Sequence, residues 1–310
     1  MPVGPTRIDE ISASLWELSQ RNPGTSWAQA KKTLVADQPR SSFQIYGGAT
    51  TCIEIRDDGL PMPLFIDAGT GLTAASTDAG SGLNNAHFAA QHGKAAIFFT
   101  HTHWDHIQGL TTIPQIFQDG NEFHLYSVHK QLENRLSVLF QDEYFPVPFR
   151  TISERMRFHQ IELGAVTRFG DFDISHFGQT HPGGSFAYRV SGHGKTFVFA
   201  TDTELKNIQA PHLKPGQNIY SNADLLVLDA HFSPEEAKQS EGWGHASIHT
   251  AVELALREKV KKLCLFHQSP FYSDQEIDRQ LTRAQEHRKK CESDSPLTIV
   301  MMVEGEEISV

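Results

Sequence analysis

Short apolar runs alternate with polar, glycine-bearing breaks along most of this chain. Residues 95–99, 196–200, 225–228 and 262–266 are such runs and predict buried strands. Residues 52–56, 64–66, 158–162, 166–169, 172–176, 186–190 and 297–303 predict further strands. Asp57-Asp58-Gly59 is a hairpin signal between the first two of these. Helices are predicted over 83–91, 131–140 and 276–288, and behind Gly244-His245, where Ile248, Val252 and Ala255 share one face. The aromatic and proline-rich stretch 143–149 reads either as core packing or as a wall over a site.

Residues 1–42 have a different character. Ile8, Ile11, Leu15 and Leu18 repeat at helical spacing, Asn22-Pro23-Gly24 breaks the pattern, and 27–35 can form a second helix. The expectation is a helical extension, either packed on the domain or serving a partner or dimer contact. A strand over 44–46 follows, and residues 43–310 contain no repeat of fixed short period and no low-complexity linker, so they are expected to form one domain.

Composition narrows the functional classes. A chain of 310 residues can bury a sizeable core. Its formal net charge of -10 lacks the basic balance of proteins that clamp long nucleic acid, which weighs against such a partner. A small anionic substrate held by metal ions needs no basic surface. Cys52, Cys264 and Cys291 show no CxxC spacing, which points to a reducing compartment and away from a zinc knuckle. No apolar run reaches membrane-spanning length, and no charged-then-apolar leader opens the chain. The expected setting is cytoplasmic, with no membrane partner.

The candidate chemistry sits at strand ends. The run 95–99 leads into Thr100-His101-Thr102-His103-Trp104-Asp105-His106. Imidazole and carboxylate suit borderline and hard divalent cations. His101 and His103 are two apart and project to the same side of an extended segment, whereas Asp105 and His106 can turn elsewhere. One segment can therefore serve two neighbouring metals. Other apolar strands end in Asp67, Asp202, Asp229 and His267, the way sheets present a site along one rim. With His181, these residues complete a set for two ions. One group is His101, His103 and His181; the other is Asp105, His106 and His267. Asp202 can bridge, because a carboxylate has two oxygens.

In His101-x-His103-x-Asp105-His106 followed by His181, Asp202 and His267, the chain resembles the metallo-β-lactamase fold superfamily. Asp67 falls where that family has an acid orienting the ligand loop. The resemblance implies an α/β fold, an αββα sandwich of two mixed sheets with helices outside and metals at one rim. It implies two divalent ions, most often zinc, with manganese or iron in some members.

Asp229 and His245 are similar to the acid and histidine of the phosphodiesterase branch, which includes tRNA 3′-end endonucleases and small cyclic-nucleotide phosphodiesterases. The endonucleases carry Glu where this chain has Asp229, and Ser-Thr where it has Ala246-Ser247. They also carry an RNA-gripping arm between the positions matching His181 and Asp202, where this chain has a predicted strand hairpin. Asp67-Ala68-Gly69-Thr70-Gly71, His181-Pro182-Gly183-Gly184 and Gly242-Trp243-Gly244-His245 look instead like the small phosphodiesterases, which are commonly homodimers. The implied activity is hydrolysis of a small phosphodiester, a cyclic nucleotide foremost, by a metal-bridging hydroxide. In that reading Asp105 holds a metal and orients the hydroxide, and His245, oriented by Asp229, protonates the leaving oxygen or stabilises the pentavalent phosphorus. The alternatives are a tRNA 3′-end-type endonuclease and an acyl hydrolase such as a lactonase or β-lactamase.

Overall fold

The computed structural model describes residues 46–77, 82–206 and 216–310, with isolated positions before residue 46. The extension expected over 1–42 lies outside the described residues, as does most of the strand expected over 44–46. Five strands form the first sheet: β1 Ile53–Ile55, β2 Leu64–Ile66, β3 Lys94–Phe99, β4 Glu122–Ser127 and β5 Met156–Gln160, in the order β1-β2-β3-β4-β5. The second sheet contains β6 Thr167–Phe169, β7 Phe172–Gln179, β8 Ser185–Gly192, β9 Lys195–Ala200, β10 Leu225–Asp229, β11 Lys262–Phe266 and β12 Thr298–Met301. Its order is β12-β11-β10-β9-β8-β7-β6.

Both sheets are mixed. β1 and β2 run antiparallel, while β2, β3, β4 and β5 run parallel to one another. In the second sheet β9, β10, β11 and β12 are parallel and β6 to β9 form antiparallel pairs. The parallel strands deliver their carboxyl ends to one rim.

The helices are α1 Gly71–Thr77, α2 Ala86–Ala90, α3 Trp104–Ile107, α4 Leu132–Ser137, α5 Phe149–Ser153, α6 Pro234–Gln239, α7 Ile248–Arg257 and α8 Asp274–Cys291. Three apolar clusters separate four layers. Leu72, Phe88, Leu110, Leu136 and Ile152 pack helices and turns on one face of the first sheet. Phe98, Ile66, Tyr188, Phe199 and Val227 fill the space between the sheets. Val252, Ala255, Ile277 and Ala284 seat α7 and α8 on the second sheet. Between the sheets Phe98 stacks on Tyr126 at 4.4 Å and meets Tyr188 edge-on at 5.7 Å. Such aromatic pairs contribute about 1 kcal/mol each beyond burial. The expected αββα sandwich is the observed architecture.

Some local expectations shift. β4 is absent from the sequence prediction, although Glu122-Phe123-His124-Leu125-Tyr126-Ser127 alternates in burial as a half-buried strand should. The helix expected over 83–91 starts late, because Asn85 accepts the Phe88 N–H at 2.8 Å and caps α2 there. In the 143–149 stretch Phe145 and Phe149 pack: their rings lie 5.3 and 5.9 Å from that of Phe140.

Candidate metal centre and active site

The rim is built from strand ends that turn sharply. Asp67 follows β2, Asp202 follows β9 and His267 follows β11, with φ of 62°, 56° and 58°. Left-handed backbone costs a non-glycine residue about 1–2 kcal/mol, so something must hold each one. The Asp67 N–H donates to Phe98 O at 2.9 Å, and the Asp202 N–H donates to Asp229 Oδ2 at 3.0 Å. Backbone in this region at three rim positions is the kind of strain that marks functional sites.

All seven residues expected to hold metal converge. His101, His103 and His181 present one ligand atom each within 4.8 Å of one another, and so do Asp105, His106 and His267. Asp202 divides its carboxylate between the two groups. Its Oδ1 lies 3.6 Å from His181 Nε2 and 3.9 Å from His101 Nε2. Its Oδ2 lies 3.2 Å from His106 Nε2 and 3.5 Å from His267 Nε2. Asp105 Oδ2 stands 3.3 Å from His106 Nε2 and 3.2 Å from His267 Nε2.

Surrounding hydrogen bonds aim the lone pairs inward. His106 Nδ1–H donates to Asp67 Oδ2 at 2.8 Å, which leaves Nε2 facing the centre. His181 Nδ1–H donates to the Gly244 carbonyl at 3.0 Å, with the same consequence. Thr100 Oγ1–H donates to Asp67 Oδ2 at 2.7 Å and accepts His101 Nδ1–H at 3.1 Å. Asp67 therefore orients both His101 and His106 from a fully buried position. His101 Nε2 and His106 Nε2 are buried without a hydrogen-bond partner. Lone pairs facing carboxylate oxygens at this range call for a positive charge between them, so the donor set fits two divalent cations.

The electrostatics show the same demand. Burial and the neighbouring His106 push the His101 imidazole down to about 2. Burial works against charge on His106 too, but Asp67 and Asp202 outweigh it and raise that imidazole. His267 is likewise disfavoured by burial, and Asp202 and Asp105 nevertheless raise it to about 9. Burial disfavours the Asp105 carboxylate, yet His106 and His267 hold its pKa below the usual range.

Asp229 and His245 meet beside this cage. His245 Nδ1–H donates to Asp229 Oδ2 at 2.8 Å, and the Ala246 N–H donates to Oδ1 at 2.9 Å. The His245 ring lies 5.3 Å from that of His181 and 5.1 Å from that of His267. Asp229 thus reaches both the imidazole and the backbone that carries it.

Sequence reasoning gave no role to His231 or Thr100. His231 Nδ1–H donates to the His267 carbonyl at 2.8 Å, and its ring stacks on His245 at 4.3 Å. Its signal was present, since it sits two residues past Asp229. Asp105, His231 and His267 also line a cleft of about 1240 Å³.

This rim of buried imidazoles and carboxylates on an αββα sandwich defines a metallohydrolase of the metallo-β-lactamase fold. Residues 64–268 match the family described as "Beta-lactamase superfamily domain", and the chain belongs to that superfamily. A ribonuclease Z from Prochlorococcus marinus subsp. pastoris is 25% identical over 229 residues, 57% of this chain and 71% of that protein. The crystal structure of human tRNase Z, short form, covers 86% of this chain and 95% of its own at 16% identity, with TM-score 0.57. Unliganded yeast PDE1 covers 84% and 96% at 13% identity, with TM-score 0.62. The superfamily read from the HxHxDH string is thus the one the chain belongs to, and the protein is a metal-dependent hydrolase. Among the described residues no helix is long and apolar enough to cross a membrane.

Proposed function

We propose that the chain hydrolyses small phosphodiesters, a cyclic nucleotide foremost, with two zinc ions. The observation that carries this reading is His245, oriented by Asp229 at 2.8 Å and set beside the cage. Hydrolysis of an acyl bond by the same cage has no need of that pair. His101, His103 and His181 would hold one ion; Asp105, His106 and His267 would hold the other; Asp202 would bridge. When bound, the cations supply a water of lowered pKa and charge for the phosphate oxygens.

The chain's own groups do the rest. Asp105 orients the attacking water. Asp229 fixes the His245 tautomer with Nδ1–H engaged, so a protonated Nε2 can donate to the leaving oxygen. Trp104, between His103 and Asp105, and Trp243, two residues before His245, are 60% and 63% exposed. Such faces suit stacking on a nucleobase.

A second reading, endonucleolytic cleavage of RNA, is favoured by the ribonuclease Z relative. The acidic balance that weighed against long nucleic acid is no argument against such relatives. Against this reading, β8 and β9 form a tight hairpin at His193-Gly194 and take up most of the chain between His181 and Asp202. That is where the endonucleases carry their arm. Turnover should be measured on bis(p-nitrophenyl) phosphate, 2′,3′- and 3′,5′-cyclic nucleotides, a tRNA precursor, a lactone and a β-lactam, with metal analysis of the same sample. Turnover confined to the lactone or β-lactam would overturn the phosphodiester assignment; preference for the tRNA precursor would favour the second reading.

A further inference from the structure

A second group of metal-binding side chains lies on the outer helices. His249 and Glu253 are four residues apart on α7, and His287 and Cys291 are four apart on α8. Positions four apart on a helix share a face. The α7 residues Ala251, Val252 and Ala255 are buried in the core instead. The two outward faces meet. His287 Nε2 stands 2.8 Å from Glu253 Oε1 and 3.5 Å from Cys291 Sγ. The His249 and His287 rings lie 3.8 Å apart at 6°.

We infer that His249, Glu253, His287 and Cys291 form a structural zinc site that clamps α8 to α7. Two imidazoles, a carboxylate and a thiolate are a complete tetrahedral donor set for this cation. Zn–N near 2.0 Å and Zn–S near 2.3 Å place nitrogen and sulfur about 3.5 Å apart in a tetrahedron, as are His287 Nε2 and Cys291 Sγ at 3.5 Å. The site differs in kind from the knuckle that the missing CxxC spacing argued against, because helix geometry, not a turn, brings the ligands together.

The groups are half-buried or exposed, so an ion can enter. Burial and the neighbouring His287 push the His249 imidazole down, which keeps its lone pair available. Burial and Glu253 push the Cys291 thiol up, so the entering cation must displace its proton. The stacked imidazoles must also splay for both lone pairs to converge. A plain Glu253–His287 ion pair explains only part of the cluster, since it leaves no role for the thiol at 3.5 Å or for His249.

The test uses full-length protein stripped by chelator and titrated with Co²⁺. A thiolate-to-cobalt charge-transfer absorption is expected in the near ultraviolet, present in Cys52→Ser and absent in Cys291→Ser. No cysteine belongs to the seven-residue cage, so this signal is independent of the phosphodiesterase assignment. Zinc-reconstituted His249→Ala should carry one ion per chain fewer than the unaltered protein at unchanged turnover. Absence of the absorption in the unaltered protein, its persistence in Cys291→Ser, or an unchanged zinc count in His249→Ala overturns the inference.

Discussion

The carboxylate of Asp229 accepts Nδ1–H of His245 at 2.8 Å, and its Oδ2 also accepts the backbone N–H of Asp202 at 3.0 Å. One fully buried side chain therefore fixes both the proposed proton donor and the turn that carries the proposed bridging ligand. The two halves of the site are mechanically joined through it.

His245→Ala should leave the metal content unchanged and lower kcat by roughly 10²–10⁴-fold, the range for loss of a positioned proton donor. The loss should be smaller on bis(p-nitrophenyl) phosphate, whose leaving group needs less protonation. Metal analysis and steady-state kinetics on both substrate types check this; full turnover on a cyclic nucleotide would remove His245 from the mechanism.

Asp105→Ala removes the only carboxylate of the second trio. Turnover should fall below detection and at least one ion per chain should be lost on dialysis, read by elemental analysis. Undiminished turnover would show that Asp105 is a bystander.

Asp67→Asn acts one step away from the metals. It weakens the acceptor that holds His106 at 2.8 Å and receives Thr100 Oγ1–H at 2.7 Å. Partners of this kind typically tune metal affinity by about 10–100-fold. A chelator competition titration should show a loss in that range, with KM little changed once metal saturates.

Gly244 has φ of +87°, and a Cβ there would lie 2.3 Å from His181 Nδ1 and 2.5 Å from Pro182 Cδ. Gly244→Ala should push His181 out of the first trio and cost about 1–3 kcal/mol of stability. Urea unfolding and metal affinity should fall together; a silent variant would show the loop to be more yielding than its contacts indicate.

Chelated protein should lose stability as pH rises. Burial alone would lower the His267 imidazole, but Asp202 and Asp105 raise it to about 9. An unfolded histidine titrates near 6.5. A raised folded pKa stabilises fully below about 6.5, and that contribution disappears as pH climbs through about 9. The Tm of metal-free protein should fall across this window, while metal affinity rises because the cation no longer displaces a proton. A Tm that rises with pH there would contradict the assignment.

The order of strands and ligands was legible because both leave local marks. Apolar runs ended in Asp67, His101, Asp202, Asp229 and His267 in the sequence, and the same residues stand at the rim. Short-range signals failed where neighbours decided. β4 needed β3 and β5 to pair with before its alternation meant a strand, and Asn85 moved a helix start by capping α2. His231 gave no sign beyond its spacing from Asp229, since its partner, the His267 carbonyl, lies 36 residues away.

By itself, the chain's order of residues determined the donor chemistry and its family, because metal-ligand type and strand periodicity are written locally. Only the tertiary structure decided which oxygen of Asp202 faces which imidazoles, that Asp229 reaches His245, and that His249, Glu253, His287 and Cys291 meet. Those relations depend on how strand ends and helix faces far apart in the chain are packed, and distance in space is not encoded by spacing in sequence.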